Sequence, residues 1–333
     1  MRIAISLGIF LLSFMHILGG EDKVIRAAID IGMGGTKLQV AEVDVNTNIV
    51  TKILHTQRYF VRFYTSIAAT GALSESVMEE GSKAFNDAIE VAKTFNSEGI
   101  VAIATASFRN ASNGVQFAQH LEKETGIKIH IIDQSLEGIL TFQAVLSKTN
   151  IDQDQLIVWD IGGGSIQFTT KVPDGSFLVT GLTHGGGSFI DYIIQDIQGR
   201  NIHDYKSPNP MSSQDIVQAT AYARTLAEKV ADVLKNKITQ TSTSIVGAGS
   251  VFAFGVAPKV GNKSPFSVED LAFVVQALDG KTDADFGGGD YAFCEGSTVI
   301  LTLGLMQGLN IDTMQIVNVN NADGALTYPP FWE

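Results

Sequence analysis

Asp30-Ile31-Gly32-Met33-Gly34-Gly35-Thr36 and Asp160-Ile161-Gly162-Gly163-Gly164-Ser165 are two versions of one chemical device. Each follows a hydrophobic run, opens on a carboxylate, passes through glycines and ends on a hydroxyl. Glycines let successive backbone N–H groups converge on an anion, and the hydroxyl adds a donor. The carboxylate can orient a hydrated divalent cation, which suits phosphate chemistry. Neither copy continues into Gly-Lys-Ser/Thr as a Walker A loop would, and neither opens a helix as a dinucleotide fingerprint does. A single glycine turn is most often a plain hairpin. Two with matching context read as a pair of phosphate turns, with Gly32, Gly34, Gly35, Thr36, Gly162, Gly163, Gly164 and Ser165 as donors and Asp30 and Asp160 as the metal carboxylates.

The elements around the turns repeat as well. Val24 to Asp30, Lys37 to Val43 and Ile49 to Thr56 read as strands. An amphipathic helix over 76–95, with Val77, Ala84, Ala88, Ala92 and Phe95 on one face, leads to a short buried strand at 100–104. A helix at 113–125 follows, then a strand at 127–132 that runs into Asp133, a good N-cap for a helix over 134–147. The polar stretch 148–155 is the expected boundary between a first domain (24–148) and a second (152–333). Beyond it the pattern restarts: strands at 156–160, 166–171 and 177–181, helices near 188–198, 214–237, 267–278 and 297–309, and short strands at 243–246 and 314–319. One strand-hairpin-helix module is used twice.

The whole sequence of 333 residues is long enough for two such domains. Its net charge of -12 excludes a nucleic-acid partner, because no basic stripe is available to displace counterions. A small anionic substrate then needs a bound cation and a few local Lys or Arg residues. Cys294 is the single cysteine, so no intrachain disulfide forms, and its neighbours Ala292 and Phe293 suggest a buried, inert thiol. The apolar run Ile3 to Leu18 behind Arg2 reads as an export signal or membrane anchor over residues 1–20. The expected location is the periplasm or outside the cell, with the inner membrane as anchor if the segment is retained. No specific protein partner is deducible, and a homodimer is compatible with the sequence.

Asp30 to Thr36, Ala104 to Asn110, Glu137-Gly138, Asp160 to Ser165, Gly247-Ala248-Gly249-Ser250 and the stretch from Gly296 through Gly324 resemble the exopolyphosphatase/guanosine pentaphosphate phosphatase family. That family lies within the actin, sugar-kinase and heat-shock ATPase superfamily. The resemblance implies an α/β fold of duplicated ribonuclease H-like (actin-like ATPase) domains with a central cleft, and a C-terminal return to the first domain is compatible with it. It also implies Mg²⁺ and a carboxylate that activates water against a terminal phosphorus. Glu137 is the general base on that reading, Gln167 holds the water, and Arg109 clamps a phosphate bidentately. Gly247, Gly249 and Ser250 approach the distal or nucleoside side in the superfamily pattern. The bland alternatives are a helix-end glutamate, an exposed glutamine and an ordinary surface ion pair.

Two departures bear on substrate. Asp133-Gln134-Ser135-Leu136-Glu137-Gly138 retains one glutamate where the family usually has several acidic residues. Gln167 stands where bacterial exopolyphosphatases commonly carry a glutamate, and a glutamine there, together with Glu137-Gly138, resembles the related apyrases. The expected activity is release of terminal phosphate from polyphosphate or guanosine pentaphosphate. The alternatives are an apyrase-like nucleoside tri- and diphosphate hydrolase, and a secreted protein that binds polyphosphate or nucleotide without turnover. A polyphosphate enzyme should show a long basic groove, and a nucleotidase an apolar base pocket near 247–255. Gly287 to Gly289, beside Asp283, Asp285 and Asp290, lacks the spacing of a calcium loop.

Overall fold

A computed structural model describes residues 23–289 and 291–332; the apolar run at the start of the chain lies outside the described residues. In the first half, strands β1 (Lys23–Gly32), β2 (Gly35–Asp44), β3 (Ile49–Tyr59), β4 (Gly99–Ala104) and β5 (Ile129–Ile131) form one sheet of order β3-β2-β1-β4-β5. The first three strands are antiparallel neighbours, and β4 and β5 run parallel to β1. The second half has β6 (Leu156–Ile161), β7 (Ile166–Lys171), β8 (Phe177–Leu182), β9 (Ser244–Ala248), β10 (Phe266–Ser267) and β11 (Thr313–Val317). Its order, β8-β7-β6-β9-β11, repeats the first sheet strand for strand, and β10 adds an antiparallel edge. The expected α/β fold with duplicated actin-like halves is the one observed.

Strand alternation explains why the central strands are apolar throughout. Ala27, Ile29 and Ile31 of β1 face the helices of the first half, while Ala28 faces a second cluster with Leu140, Ala322, Ala325 and Leu326. In β6, Ile157, Trp159 and Ile161 enter the large core of the second half, and Leu156 and Val158 face Phe142 and Val145. Both faces of each sheet are covered, so both strand parities must be apolar. Trp159 is the centre of the second core, stacked on Phe168 at 5.0 Å and edge-on to Phe252 at 5.2 Å.

The helix Gln134–Leu146 lies between the two halves. Asp133 caps it, its Oδ1 accepting from the Leu136 N–H at 2.8 Å. Backbone approaches on both sides admit glycine alone. A Cβ on Gly138 would lie 2.4 Å from Thr169 Oγ1 of β7, and one on Gly324 would lie 2.0 Å from the carbonyl oxygen of Leu140. The short helix Asn321–Ala325 that carries Gly324 packs on the first sheet, where Gln39 donates to Asp323 Oδ1 at 2.9 Å and Arg26 to the Leu326 carbonyl at 3.1 Å. Thr141 ties the two helices by donating to Asn321 Oδ1 at 2.7 Å.

Some sequence expectations change. The helix expected over 214–237 is two, Ser213–Leu226 and Asp232–Ile238, joined by a 3₁₀ turn at Ala227–Lys229. Val230 and Ala231 turn extended there because that places the Val230 side chain in the core, and burial outweighs helix continuity. Helices Phe63–Thr70 and Ala106–Asn110 are too short to show a periodic pattern, and tertiary contacts hold them: Phe63 against Phe108 at 5.8 Å, and Ser107 Oγ donating to the Ile31 carbonyl at 2.8 Å. Helix Ala292–Leu309 is long and apolar enough to cross a membrane, yet it is mostly buried inside the second half.

Candidate active site

Both glycine turns are hairpins at the ends of the central strands, where β1 meets β2 and β6 meets β7. In each sheet the parallel neighbour ends on the same side, so the turns open where strand carboxyl ends leave a crevice. The register pairs Asp30 with Lys37 and Asp160 with Gln167, which makes Lys37 and Gln167 equivalent positions. The two turns approach each other through Met33, whose side chain lies 3.8 Å from where a Cβ on Gly163 would sit. The lip 185–187 supports the second turn from behind, with Gly186 N–H donating to the Gly162 carbonyl at 2.9 Å and Gly187 N–H to that of Gly163 at 2.7 Å.

A cavity of about 660 Å³ runs between the halves. Asp30, Gly32, Gly34, Gly35, Glu137, Asp160, Gly162, Gly163, Gly164, Ser165, Gly249 and Ser250 all line it. The remaining candidates do not. Thr36 is fully buried, and its Oγ1 has no hydrogen-bond partner. Gln167 is buried too, donating to Ser165 Oγ at 3.0 Å, and its Oε1 is unpartnered. Gly247 sits in the core against the Phe252 ring and Met314, where a Cβ would be 2.7 Å and 2.6 Å from their nearest atoms. Gly249, at φ +90°, passes close to Asp160, 2.7 Å from a built Cβ to Oδ1.

Arg109 does not stand free to clamp a phosphate. Its Nη1 and Nη2 both donate to Glu137 Oε2 at 3.1 Å, and Nη1 also donates to the Ile132 carbonyl at 2.7 Å. Oε1 of Glu137 receives neither bond. Lys37 has a defined direction, its Nζ 3.2 Å from Asp30 Oδ2, while Oδ1 of Asp30 is buried with no partner. Cys294 corrects the expectation of a core thiol: it is half-buried and lines the cavity. Burial, with Glu295 adjacent, pushes its thiol up to about 11, which keeps it protonated and unreactive.

The electrostatics single out Glu137 and Asp160. Burial pushes the Glu137 carboxyl up to about 7; Arg109 opposes the rise, and Asp160 and Asp30 add to it. Burial also lifts Asp160 to about 6, against the pull of Lys37 and with the push of Asp30. Three carboxylates therefore repel one another across one cavity, which favours a bound cation. Among the described residues no three His, Cys, Asp or Glu side chains converge to hold a metal by themselves. Two carboxylates, of which Asp30 has an orphaned oxygen, fit a hydrated hard cation whose remaining ligands are water and substrate oxygens.

Sequence reasoning assigned no role to Arg58, Phe60, Tyr64, Thr105, Tyr291 or Asn321, all of which line the cavity. Thr105 follows the end of β4, and its position at a strand carboxyl end is a signal that could have found it. The others come from separate elements and loops, Arg58 from β3, Tyr64 from the helix Phe63–Thr70 and Asn321 from the helix Asn321–Ala325, that only the tertiary fold brings together.

The Ppx/GppA phosphatase family model matches residues 40–198. Over 203 residues the chain is 26% identical to a bifunctional 3-dehydroquinate synthase/phosphatase of Fusobacterium nucleatum, covering 60% of this chain and 30% of that protein. An uncharacterised protein of Streptomyces coelicolor is 26% identical over 141 residues, 42% of this chain and 41% of that one. The chain thus spans less than half the length of these curated relatives. Among solved structures, the Aquifex aeolicus PPX-GPPA enzyme superposes with a TM-score of 0.72 at 17% identity, covering 92% of this chain and 99% of its own. An exopolyphosphatase from Cytophaga hutchinsonii gives a TM-score of 0.71 at 18% identity, covering 91% and 96%. Residues 40–198 carry the Ppx/GppA phosphatase signature, and the chain as a whole has the duplicated actin-like fold of the solved Ppx/GppA proteins.

Proposed function

We propose that this protein is a phosphoanhydride hydrolase that releases the terminal phosphate of its substrate by attack of an activated water. The observation that carries the reading is a buried carboxylate, Glu137, on the wall of a cavity that also contains both glycine turns. The turn N–H groups and Ser165 would bind the terminal phosphates, and Glu137 would take the proton from the attacking water. A carboxyl near neutrality is well matched to that task, because it is ionised at working pH yet basic enough to accept the proton. Arg109 then orients and partly neutralises the base. Asp30 and Asp160 would hold Mg²⁺ through its waters, and the ion would supply charge neutralisation on the phosphoryl oxygens. The family match and the fold of the solved relatives support this reading, and the bifunctional synthase/phosphatase relative is named for a phosphatase activity.

The test is phosphate release from polyphosphate, ATP, ADP and guanosine pentaphosphate, with and without Mg²⁺. Release from at least one of them, abolished by chelation, is expected; tight binding with no release from any would make the protein a binder. The N-terminal apolar run supports a location at or beyond the inner membrane, which fractionation of the full chain would check.

The pH dependence follows from the direction of each influence. Glu137 must be deprotonated to act, so kcat/KM is expected to rise through an acid limb near pH 7. Removing the Arg109 cation removes the influence that holds the carboxyl down. Arg109→Met should therefore move the acid limb to higher pH while lowering the plateau rate. A limb that stays in place would remove Arg109 from the role of tuning the base.

A further inference from the structure

The mouth of the cavity is lined with exposed rings. Phe60 is 63% exposed, Phe254 64% and Tyr291 43%, and all three belong to the cavity wall. Isolated exposed apolar side chains are ordinary, but a group of them on one concave wall beside polar turns marks a binding surface. Phe60 follows β3 of the first half, and Tyr291 precedes the helix Ala292–Leu309 of the second. Their ring centres are 6.2 Å apart, tilted by 45°. The Arg58 guanidinium covers both, 5.2 Å from the Phe60 ring centre and 5.6 Å from that of Tyr291.

Arg58 also faces the first phosphate turn. A Cβ built on Gly34 would lie 3.5 Å from Arg58 Nη2. One guanidinium thus connects a glycine turn to a pair of aromatic rings, within a cavity large enough for a nucleotide. A long inorganic polyanion has little to follow here. Among the described residues Lys37 and Arg58 are the only Lys or Arg side chains on the cavity wall, and Lys37 is paired with Asp30.

We infer that Arg58, Phe60 and Tyr291 form a stacking platform for a nucleobase, so that the phosphate chain held in the turns is carried on a nucleoside. The inference rests on the preceding reading for the placement of the phosphates. Stacking on a ring face is sequence-tolerant, and its removal weakens binding without touching the phosphate contacts. The three residues therefore determine specificity, and the reaction is left to Glu137.

Calorimetry separates the two sources of affinity. The ligands are β,γ-imido triphosphates of guanosine and adenosine, and inorganic tripolyphosphate, each with Mg²⁺. The protein is the full chain with its Phe60→Ala and Tyr291→Ala variants, both substitutions being at exposed rings. The unaltered protein should bind a nucleoside analogue at least about tenfold more tightly than tripolyphosphate, and each variant should lose about tenfold for the nucleotide alone. Equal affinities in the unaltered protein, equal losses for both ligand types, or no nucleotide binding would overturn the platform. Phosphate release measured on ATP, GTP and tripolyphosphate reports separately on hydrolysis: selective nucleotide binding without release would keep the platform and end the hydrolase reading.

Discussion

Glu137→Gln is expected to reduce the phosphate-release rate by about 10²–10⁴-fold, the range over which a positioned general base acts. The variant is close to isosteric, and its amide oxygen can still accept from Arg109, so the cavity and its phosphate turns should keep their form. Substrate affinity should change little, and the loss should fall on kcat. The environment explains why a single glutamate can carry this role. Glu137 is 7% exposed and is held through Oε2 by Arg109, while two aspartates raise its proton affinity. Steady-state kinetics with circular dichroism as a check on folding would measure the effect. Turnover within about threefold of the unaltered protein would remove Glu137 as the base and direct attention to Asp160, the other cleft carboxyl raised by burial.

The second large effect is mechanical. Gly324→Ala would place a Cβ 2.0 Å from the carbonyl oxygen of Leu140 and 2.6 Å from its carbonyl carbon, both backbone atoms that no rotamer change can move. The helix Gln134–Leu146 would have to shift away from Asn321–Ala325, and Leu140 lies within one turn of Glu137. Overpacking of this kind costs about 3 kcal/mol or more, which denaturant titration would show as a lowered midpoint. A displacement of the base by about 1 Å would cost on the order of 10²-fold in rate even though position 324 touches no substrate. Gly71→Ala is the useful comparison, since nothing lies within 4 Å of its built Cβ, although its φ of +71° adds local strain. Gly71→Ala should lose some stability and keep its rate. A Gly324→Ala variant with unaltered rate and midpoint would show that the helix pair is not rigidly coupled.

What could be read from the sequence follows from the range of the interactions concerned. The two Asp-glycine-hydroxyl turns are local, each contained within seven residues or fewer, so residue type and spacing define them without tertiary information. Their matching strand context also carried the duplicated fold, because the apolar runs of β1 and β6 that lead into the turns are a short-range pattern. Arg109 shows the opposite case. A guanidinium after a strand can meet a phosphate or a carboxylate with equal ease, and only the tertiary fold, which brings the Glu137 carboxylate within 3.1 Å of Arg109, decides for Glu137. Gly247 and Gly249 look alike in Gly-Ala-Gly-Ser, yet Gly247 lies within β9 against the Phe252 ring, while Gly249 follows the end of that strand at φ +90° and passes beside Asp160. The break at Val230 and the Arg58–Phe60–Tyr291 cluster depend on contacts between distant segments, which no local pattern encodes.

Water is expected to attack the terminal phosphorus. Hydrolysis in H₂¹⁸O under single-turnover conditions, with the released phosphate and the shortened product analysed by mass spectrometry, tests this directly. Attack of a Glu137-activated water on the terminal phosphorus predicts one ¹⁸O atom in the released phosphate and none in the shortened product. Label in the shortened product would place attack at the inner phosphorus, and absence of any labelled phosphate would contradict hydrolysis at this site.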